Sequence, residues 1–390
     1  MLQYLRKIKH KALKGRALLR LDFNTEDDWR IKAVLPTIKF LLRVASKIVI
    51  LSHRGRPKGY DPQLSLKKDG LNLQKLIGRR VRFVPDLDFQ VIREVIKNSP
   101  PNSTILLQNL RFWKGEEAND PVFAKHLASL VGDFYPHTKR GHASSEQGLK
   151  SPRYGVGVYV NDAFAVCHRA NASVSAITRF LPSYAGLELE KEIKFLSGVM
   201  KNPRRPLVLI VGGAKAGDKL GILKYFKNKA DNIILGGALA NTILYVAGFD
   251  VKKSLIDRDP NIFENLREVL KYDNLEMPVD YKWSNNAILD IGAASIKDFE
   301  SIIGCAKTII WNGPMGLFEK KPYDKGTLAV AKAIVRNKSA FSLSGGGETV
   351  AFLKKHGLDK KFSFISTGGG AMLEFLAGKK LPGIKALNQK

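Results

Sequence analysis

The sequence predicts a two-domain α/β protein built on mainly parallel sheets with helices on both faces. Three observations point to it. The chain has 390 residues, more than one ordinary core organises. Short β-branched runs recur along it, separated by helix-length amphipathic stretches, which is the pattern of strands buried on both faces. Many of those runs end in glycine or in charged groups, as strand ends beside a ligand do.

The elements follow in order. Ala17–Leu21 reads as a strand, Leu35–Val44 as a helix with Pro36 in its first turn, and Lys47–Leu51 as the next strand. Val81–Val84, Thr104–Leu107 and Val156–Val160 continue the series. The rhythm returns after residue 200 with Leu207–Val211, Asn232–Leu235, Thr308–Trp311, Ala340–Leu343 and Phe362–Ile365. Between the two sets, Leu181–Glu190 (LPSYAGLELE) reads as a linker.

Hydrophobic residues make up 44% and charged residues 26%, a globular rather than a disordered composition. Lys and Arg number 64 against 36 Asp and Glu, leaving +28. That excess fits an anionic partner, a phosphorylated metabolite or nucleic acid, and equally a lysine bias on solvated faces. The cysteines, Cys167 and Cys305, build neither a disulfide framework nor a Cys-based zinc site. Cys167 and His168 are sequence neighbours, which seldom face each other. The basic N-terminus lacks the apolar run of a signal peptide. No apolar stretch reaches the roughly 18 residues of a membrane span, so the expected location is cytoplasmic.

Strand ends differ between the halves. In the second half they carry Gly212-Gly213, Gly236-Gly237, Gly313, Gly345-Gly346-Gly347 and Gly368-Gly369-Gly370. Glycines there let backbone N–H groups approach an anion, and a following helix adds its positive end, so a nucleotide or phosphate site is expected. In the first half the ends carry Asp22, Asn24, His53, Arg56, Arg111 and Arg169. Repeated arginines at strand ends suit a small polyanion, held by bidentate hydrogen bonds.

Nine segments carry a family resemblance: LLRLDFN, RIKAVLPTIKFLL, SHRGRPKG, LLQNLRF, YVNDAFAVCHRA, GGAKAGDK, IIWNGPMGLFE, GGGET and STGGGAMLEFLAGKKLPGIKAL. In this order, from Leu18 to Leu387, the chain resembles the phosphoglycerate kinases. The resemblance implies two doubly wound domains joined by a hinge. Residues 1–182 would bind 3-phosphoglycerate or 1,3-bisphosphoglycerate, and 190–377 would bind the magnesium complex of ADP or ATP. Residues 378–390 would return to the first domain, and the protein would act as a monomer.

Carried over by position, the resemblance implies that Asp22 and Asn24 hold substrate hydroxyl and carboxylate groups and that Arg30 is the catalytic arginine. His53, Arg56, Arg111 and Arg169 would grip the stationary phosphate. Lys215 would contact the transferring phosphoryl group, and Gly369, with its neighbours, would set a helix N-terminus near the reacting centre. Lys219 and Asn312 would meet the nucleotide phosphates, Gly213, Gly237 and Pro314 would border the adenosine slot, and Glu319 would bond the ribose. Gly346, Gly347, Glu348 and Thr349 would lie along the nucleotide phosphates, with Glu348 meeting Mg²⁺. The acceptor in the ATP-consuming direction is a carboxylate, already ionised near neutrality. No general base is needed, and none is recognisable.

The sequence departs from the family pattern in places. Glu348 stands where Asp is usual and can still meet Mg²⁺. Asn171 stands where His is common. Gln108 replaces Glu and Arg54 replaces an apolar residue, which strengthens anion binding or follows the basic bias. Gly132–Gly157 reads as an inserted exposed loop, either a tolerated insertion or a basic docking loop. Two rivals were weighed. A nucleic-acid-binding protein would explain the charge, but no helix-turn-helix, zinc-finger or RRM signature is present. A dinucleotide oxidoreductase would need GxGxxG, and GGAKAGDK is neither that nor a Walker A motif, since Asp218 stands where its Lys belongs.

Overall fold

The computed structural model describes residues 2–8, 15–25, 27–132 and 157–388. The inserted segment, all but its end residues Gly132 and Gly157, lies outside the described residues, and so do both readings of it. The chain divides into two compact units, Met1–Glu192 with Lys380–Lys390, and Ile193–Lys379.

Unit one holds a six-stranded sheet: β1 (Arg16–Arg20), β2 (Lys47–Leu51), β3 (Val81–Val84), β4 (Ser103–Leu107), β5 (Val158–Asn161) and β6 (Ser183–Ala185). Their order is β3-β4-β2-β1-β5-β6, every pair parallel. The middles of the central strands β1 and β2 are apolar on both faces because helices cover both. Leu19, Leu21, Phe23, Ile38, Leu41, Ile48 and Ile50 form one buried cluster. Ile38 and Leu41 come from the helix Leu35–Val44, three apart and hence on one face. The helix Pro382–Leu387 packs into this unit as well. Gly383 donates its N–H to the Cys167 carbonyl at 2.9 Å, and Ala386 and Leu387 are buried.

Unit two repeats the plan with β7 (Leu207–Val211), β8 (Asn232–Leu235), β9 (Leu275–Glu276), β12 (Thr308–Asn312), β13 (Phe341–Gly345) and β14 (Phe364–Ser366). The order is β14-β13-β12-β7-β8-β9, again parallel throughout. A separate antiparallel hairpin joins β10 (Tyr281–Ser284) to β11 (Ala287–Ile291). Ile210, Ile309, Trp311, Val330, Ile334 and Leu353 anchor the core.

The expected α/β class with parallel sheets is what the chain forms. Several strands run further toward their carboxyl ends than the apolar runs alone marked. β13 reaches Gly345, which pairs with Ser366, and β5 reaches Asn161, which pairs with Ala185. The ladder continues after the side chains turn polar. β6 lies inside the stretch 181–190, which looked like a linker because an edge strand needs few apolar residues.

Trp311 has no exposed surface, and its indole N–H donates to the Gly313 carbonyl at 2.8 Å. Trp311→Ala should destabilise unit two by about 3–5 kcal/mol, measured by urea unfolding of the whole chain. A loss below about 1 kcal/mol would contradict this packing.

Candidate active site

In each sheet the strand order reverses beside one strand. β1 lies between β2 and β5, and β7 lies between β8 and β12. Helices wound in opposite senses leave a crevice beyond the carboxyl ends at such a point. The sequence-expected site residues follow the carboxyl ends of several strands in each sheet: Asp22 after β1, His53 after β2, Arg111 after β4 and Arg169 after β5, then Lys215 after β7, Gly237 after β8 and Glu348 after β13.

Arg20, the last residue of β1, is fully buried. Its Nε donates to Ser173 Oγ at 2.9 Å and its Nη2 to His53 Nδ1 at 3.2 Å, while Nη1 donates to the Leu21 carbonyl. Glu116 Oε1 lies 3.9 Å from Nη2 and accepts from Ser173 Oγ at 2.6 Å. Arginine only donates, so the His53 Nδ1 facing it is an acceptor and the ring proton sits on Nε2. Burial holds the His53 pKa well below its ordinary value; Asp22 opposes this, and Arg20, Arg111 and Arg169 reinforce it. His53 is therefore neutral at physiological pH and offers an N–H donor.

Asp22 and Arg30 sit beside it. Arg30 Nη1 donates to Asp22 Oδ2 at 2.8 Å and to the Asn24 carbonyl at 2.9 Å. The Asn24 N–H donates to Asp22 Oδ1 at 2.9 Å. Burial raises the Asp22 pKa, but His53, Arg30 and the Asn24 amide lower it by more. With His53 neutral, Arg30 and then Arg20 are the cations that lower it. Arg30 Nε is buried with no hydrogen-bond partner, a donor left over for a ligand.

Asn24 Oδ1 accepts from the Gly55 N–H at 2.9 Å, and Arg111 Nη1 donates to the Gly55 carbonyl. Arg111 Nε stands 3.2 Å from Glu117 Oε1, an ion pair without a hydrogen bond. Burial pulls the Arg111 pKa down, Glu117 opposes, and Arg169 and Arg20 add to the fall. Arg169 is half-buried, with Nε directed at His168 Nε2 (3.2 Å). Arg56 is exposed on the same loop as His53. The structure thus brings Asp22, Asn24, Arg30 and Arg111 into one bonded set, with His53 Nδ1 3.6 Å from Asp22 Oδ1 and Arg169 close enough to act electrostatically on His53 and Arg111.

The departures from the family pattern resolve individually. Asn171 is buried and donates to Glu116 Oε1 at 3.4 Å, which places it in the support beneath the site. Gln108 is buried too. Its Oε1 accepts from the Leu66 and Asn109 amides, and its Nε2 donates to Ser65. Cys167 has its thiol pushed up to about 12 by burial, which leaves it inert.

In unit two the loops after β7 and β12 cross at van der Waals range. The Gly212 and Gly213 amides donate to the carbonyls of Asn312 and Pro314, both at 2.9 Å. Gly313 has φ +94°, and a Cβ there would clash with the Gly212 carbonyl. Only glycine allows this crossing. Beside it opens a slot lined by Gly213, Gly237, Ala238, Leu255, Ile288, Leu289, Pro314, Met315, Leu317, Glu319 and Glu348. A mostly apolar slot with three carboxylates, Asp290, Glu319 and Glu348, suits a flat heterocycle carrying hydroxyls.

Lys219 Nζ donates to Asn312 Oδ1, and Asn312 Nδ2 donates to the Gly345 carbonyl at 2.7 Å. Burial lowers the Lys219 pKa to about 8, against Asp218 and Glu348. The Gly313 N–H donates to Thr349 Oγ1 at 2.8 Å. Gly346, at φ +101°, caps the helix Gly347–Lys355, whose first turn carries the exposed Glu348. Gly369 opens the helix Gly369–Leu376, and a Cβ added to it would reach Gly346 Cα at 3.9 Å. Lys215 is exposed after β7.

Among the described residues, no group of three or more His, Cys, Asp or Glu could hold a metal. Magnesium bound with a nucleotide needs only one or two carboxylates plus phosphates and water, so Glu348 alone fits that mode.

Sequence reading missed Arg20, Glu116 and Ser173, although a cation ending an apolar strand in LLRLDFN was the available signal. It also missed the hairpin that walls the slot. Its turn, Asn285-Asn286, has φ +49° and +59°, the left-handed pair that a two-residue hairpin requires.

The family model for phosphoglycerate kinase matches residues 8–154 and 150–379. A phosphoglycerate kinase of Thermosipho africanus is 40% identical over 420 residues, covering 98% of each chain. One from Dictyoglomus turgidum is 37% identical over 413 residues, again 98% of each. A cytosolic phosphoglycerate kinase of Triticum aestivum is 38% identical over 411 residues, 97% of this chain and 96% of that one. Among solved structures, the phosphoglycerate kinase of Coxiella burnetii superposes with TM-score 0.79 at 31% identity, covering 100% of this chain and 99% of that one. That of Pyrococcus horikoshii gives 0.82 at 29% identity, with 99% and 98% covered.

The bonding of His53 has a direct spectroscopic consequence. Its ring signals should stay fixed in an NMR titration from about pH 8 down to about pH 6. A midpoint near the ordinary value of about 6.5 would mean that Arg20 does not donate to Nδ1.

Proposed function

The chain belongs to the phosphoglycerate kinase family, and on that premise we propose which of its residues carry the phosphoryl transfer. The reaction is reversible: 1,3-bisphosphoglycerate and ADP exchange with 3-phosphoglycerate and ATP. The rival reading as a nucleic-acid-binding protein finds no support in these relatives.

In unit one, Arg30 is the catalytic arginine. The observation that carries this assignment is its buried Nε, which lacks a partner while its Nη1 is anchored on Asp22 and Asn24. A guanidinium held by one edge presents the other to an oxyanion without reorganising. Asp22 and Asn24 receive the glycerate hydroxyl and carboxylate. His53 donates its Nε2–H to the stationary phosphate, and Arg56, Arg111 and Arg169 supply the charge.

In unit two, Gly213, Gly237, Pro314 and Glu319 hold the nucleoside. Lys219, Asn312, Gly346, Gly347 and Thr349 line its phosphates. Lys215 and the helix starting at Gly369 stabilise charge on the moving phosphoryl group. Glu348 would hold magnesium, which supplies charge neutralisation on the nucleotide when bound. The attacking carboxylate is already ionised, so no residue is assigned as a base. No helix among the described residues is long and apolar enough to cross a membrane. The cytosolic relative from Triticum aestivum supports a cytoplasmic location.

The test is a coupled assay with ATP, Mg²⁺, 3-phosphoglycerate and glyceraldehyde-3-phosphate dehydrogenase, followed as NADH loss. Lys215→Ala and Arg30→Ala should each lower kcat by about 100-fold or more, and Arg111→Ala should chiefly raise the KM for 3-phosphoglycerate. Normal turnover in either of the first two removes that residue from the centre. Because Lys219 loses its proton as pH rises through about 8, kcat/KM for ATP should fall above that pH. Lys219→Arg should move the fall to higher pH, and an unmoved profile would assign it to another group.

A further inference from the structure

We propose that Arg54, paired with Asp69, is a positioning residue that sets the 3-phosphoglycerate loop Asp22–Thr25 and takes no part in gripping anions. This rests on the assignment of Asp22 and Asn24 to the substrate. Arg54 Nε and Nη2 meet Asp69 Oδ2 and Oδ1 at 3.1 and 2.5 Å, a two-point ion pair. The Asp69 side chain is 7% exposed, in the first turn of the helix Lys67–Ile77. The outer edge of the same guanidinium donates from Nη2 to the Phe23 carbonyl at 2.9 Å and from Nη1 to the Thr25 carbonyl at 3.1 Å.

Those two carbonyls flank Asn24, so one planar fork holds the backbone on both sides of a substrate residue. The next residue of the same loop completes the hold, because the Gly55 N–H donates to Asn24 Oδ1 at 2.9 Å. Arg54 is itself fixed from behind. Its N–H donates to Asn109 Oδ1 at 3.3 Å, and its carbonyl accepts from Asn109 Nδ2 at 2.8 Å. The Asp69 carboxylate takes up the positive charge, so Arg54 adds little field to the site. Its use is geometric. A lysine would keep the charge but could not reach a carboxylate and two divergent carbonyls together. An apolar residue there would bond none of them.

The experiment compares Arg54→Lys, Arg54→Leu/Asp69→Leu and Asn24→Ala with the full-length parent, reading KM for 3-phosphoglycerate, KM for ATP and thermal unfolding. Arg54→Lys should raise the KM for 3-phosphoglycerate about tenfold and leave the KM for ATP unchanged. The double variant removes the buried unpaired carboxylate along with the arginine, so it should keep near-parent thermal stability and still show the raised KM. If Arg54 only balanced the charge of Asp69, both variants would bind 3-phosphoglycerate like the parent while Asn24→Ala did not, and the inference would be wrong. If Asn24→Ala also bound it normally, the assignment of the loop to the substrate would fail first.

Discussion

The proposed substrate site in unit one depends on one buried cation. Arg20 has no exposed surface, yet it joins Ser173, His53 and the Leu21 carbonyl, with Glu116 as its countercharge. Removing water from a charged pair costs several kcal/mol per ion before any attraction is recovered. Such a pair is therefore a poor source of stability and a strict source of geometry. It can be satisfied only when β1, the turn of Glu116 and the segment of Ser173 are all in register. The proposed catalytic face inherits that register, since His53 takes its tautomer from Arg20 and Asp22 stands two residues further along the chain.

Unit two solves a different problem with different means. Its ligand-facing loops use almost no charge to hold themselves together. Backbone amides of Gly212 and Gly213 bond to the carbonyls of Asn312 and Pro314 instead, and glycine makes that approach sterically possible. Charge enters late, as Lys219 and Glu348 beside a neutral scaffold. Burial lowers the lysine's proton affinity, so its positive form is poised to be stabilised by phosphates.

The fold was largely legible because buried parallel strands write themselves as apolar runs, and Lys47–Leu51 and Leu207–Val211 appear with their bounds intact. The edge strand Ser183–Ala185 and the hairpin at Asn285-Asn286 were not legible, since half-exposed strands carry no such run. At the site, Asp22, His53 and Arg111 were findable as polar groups directly after strands. Arg20 was hidden by its position inside one, where a cation contradicts the pattern that reveals its neighbours. Arg54 was visible as a departure, but its charge alone said nothing of the two carbonyls it holds.

The helix Pro382–Leu387 belongs to unit one, although all of unit two precedes it in the chain. On a translating ribosome, unit two can therefore close on itself while unit one still lacks a packed element. The pocket of Cys167 and Val174, into which Gly383 fits, stays open until Pro382–Leu387 emerges from the exit tunnel. Emergence of that helix, rather than the making of β1 to β6, sets the moment at which unit one becomes a finished body.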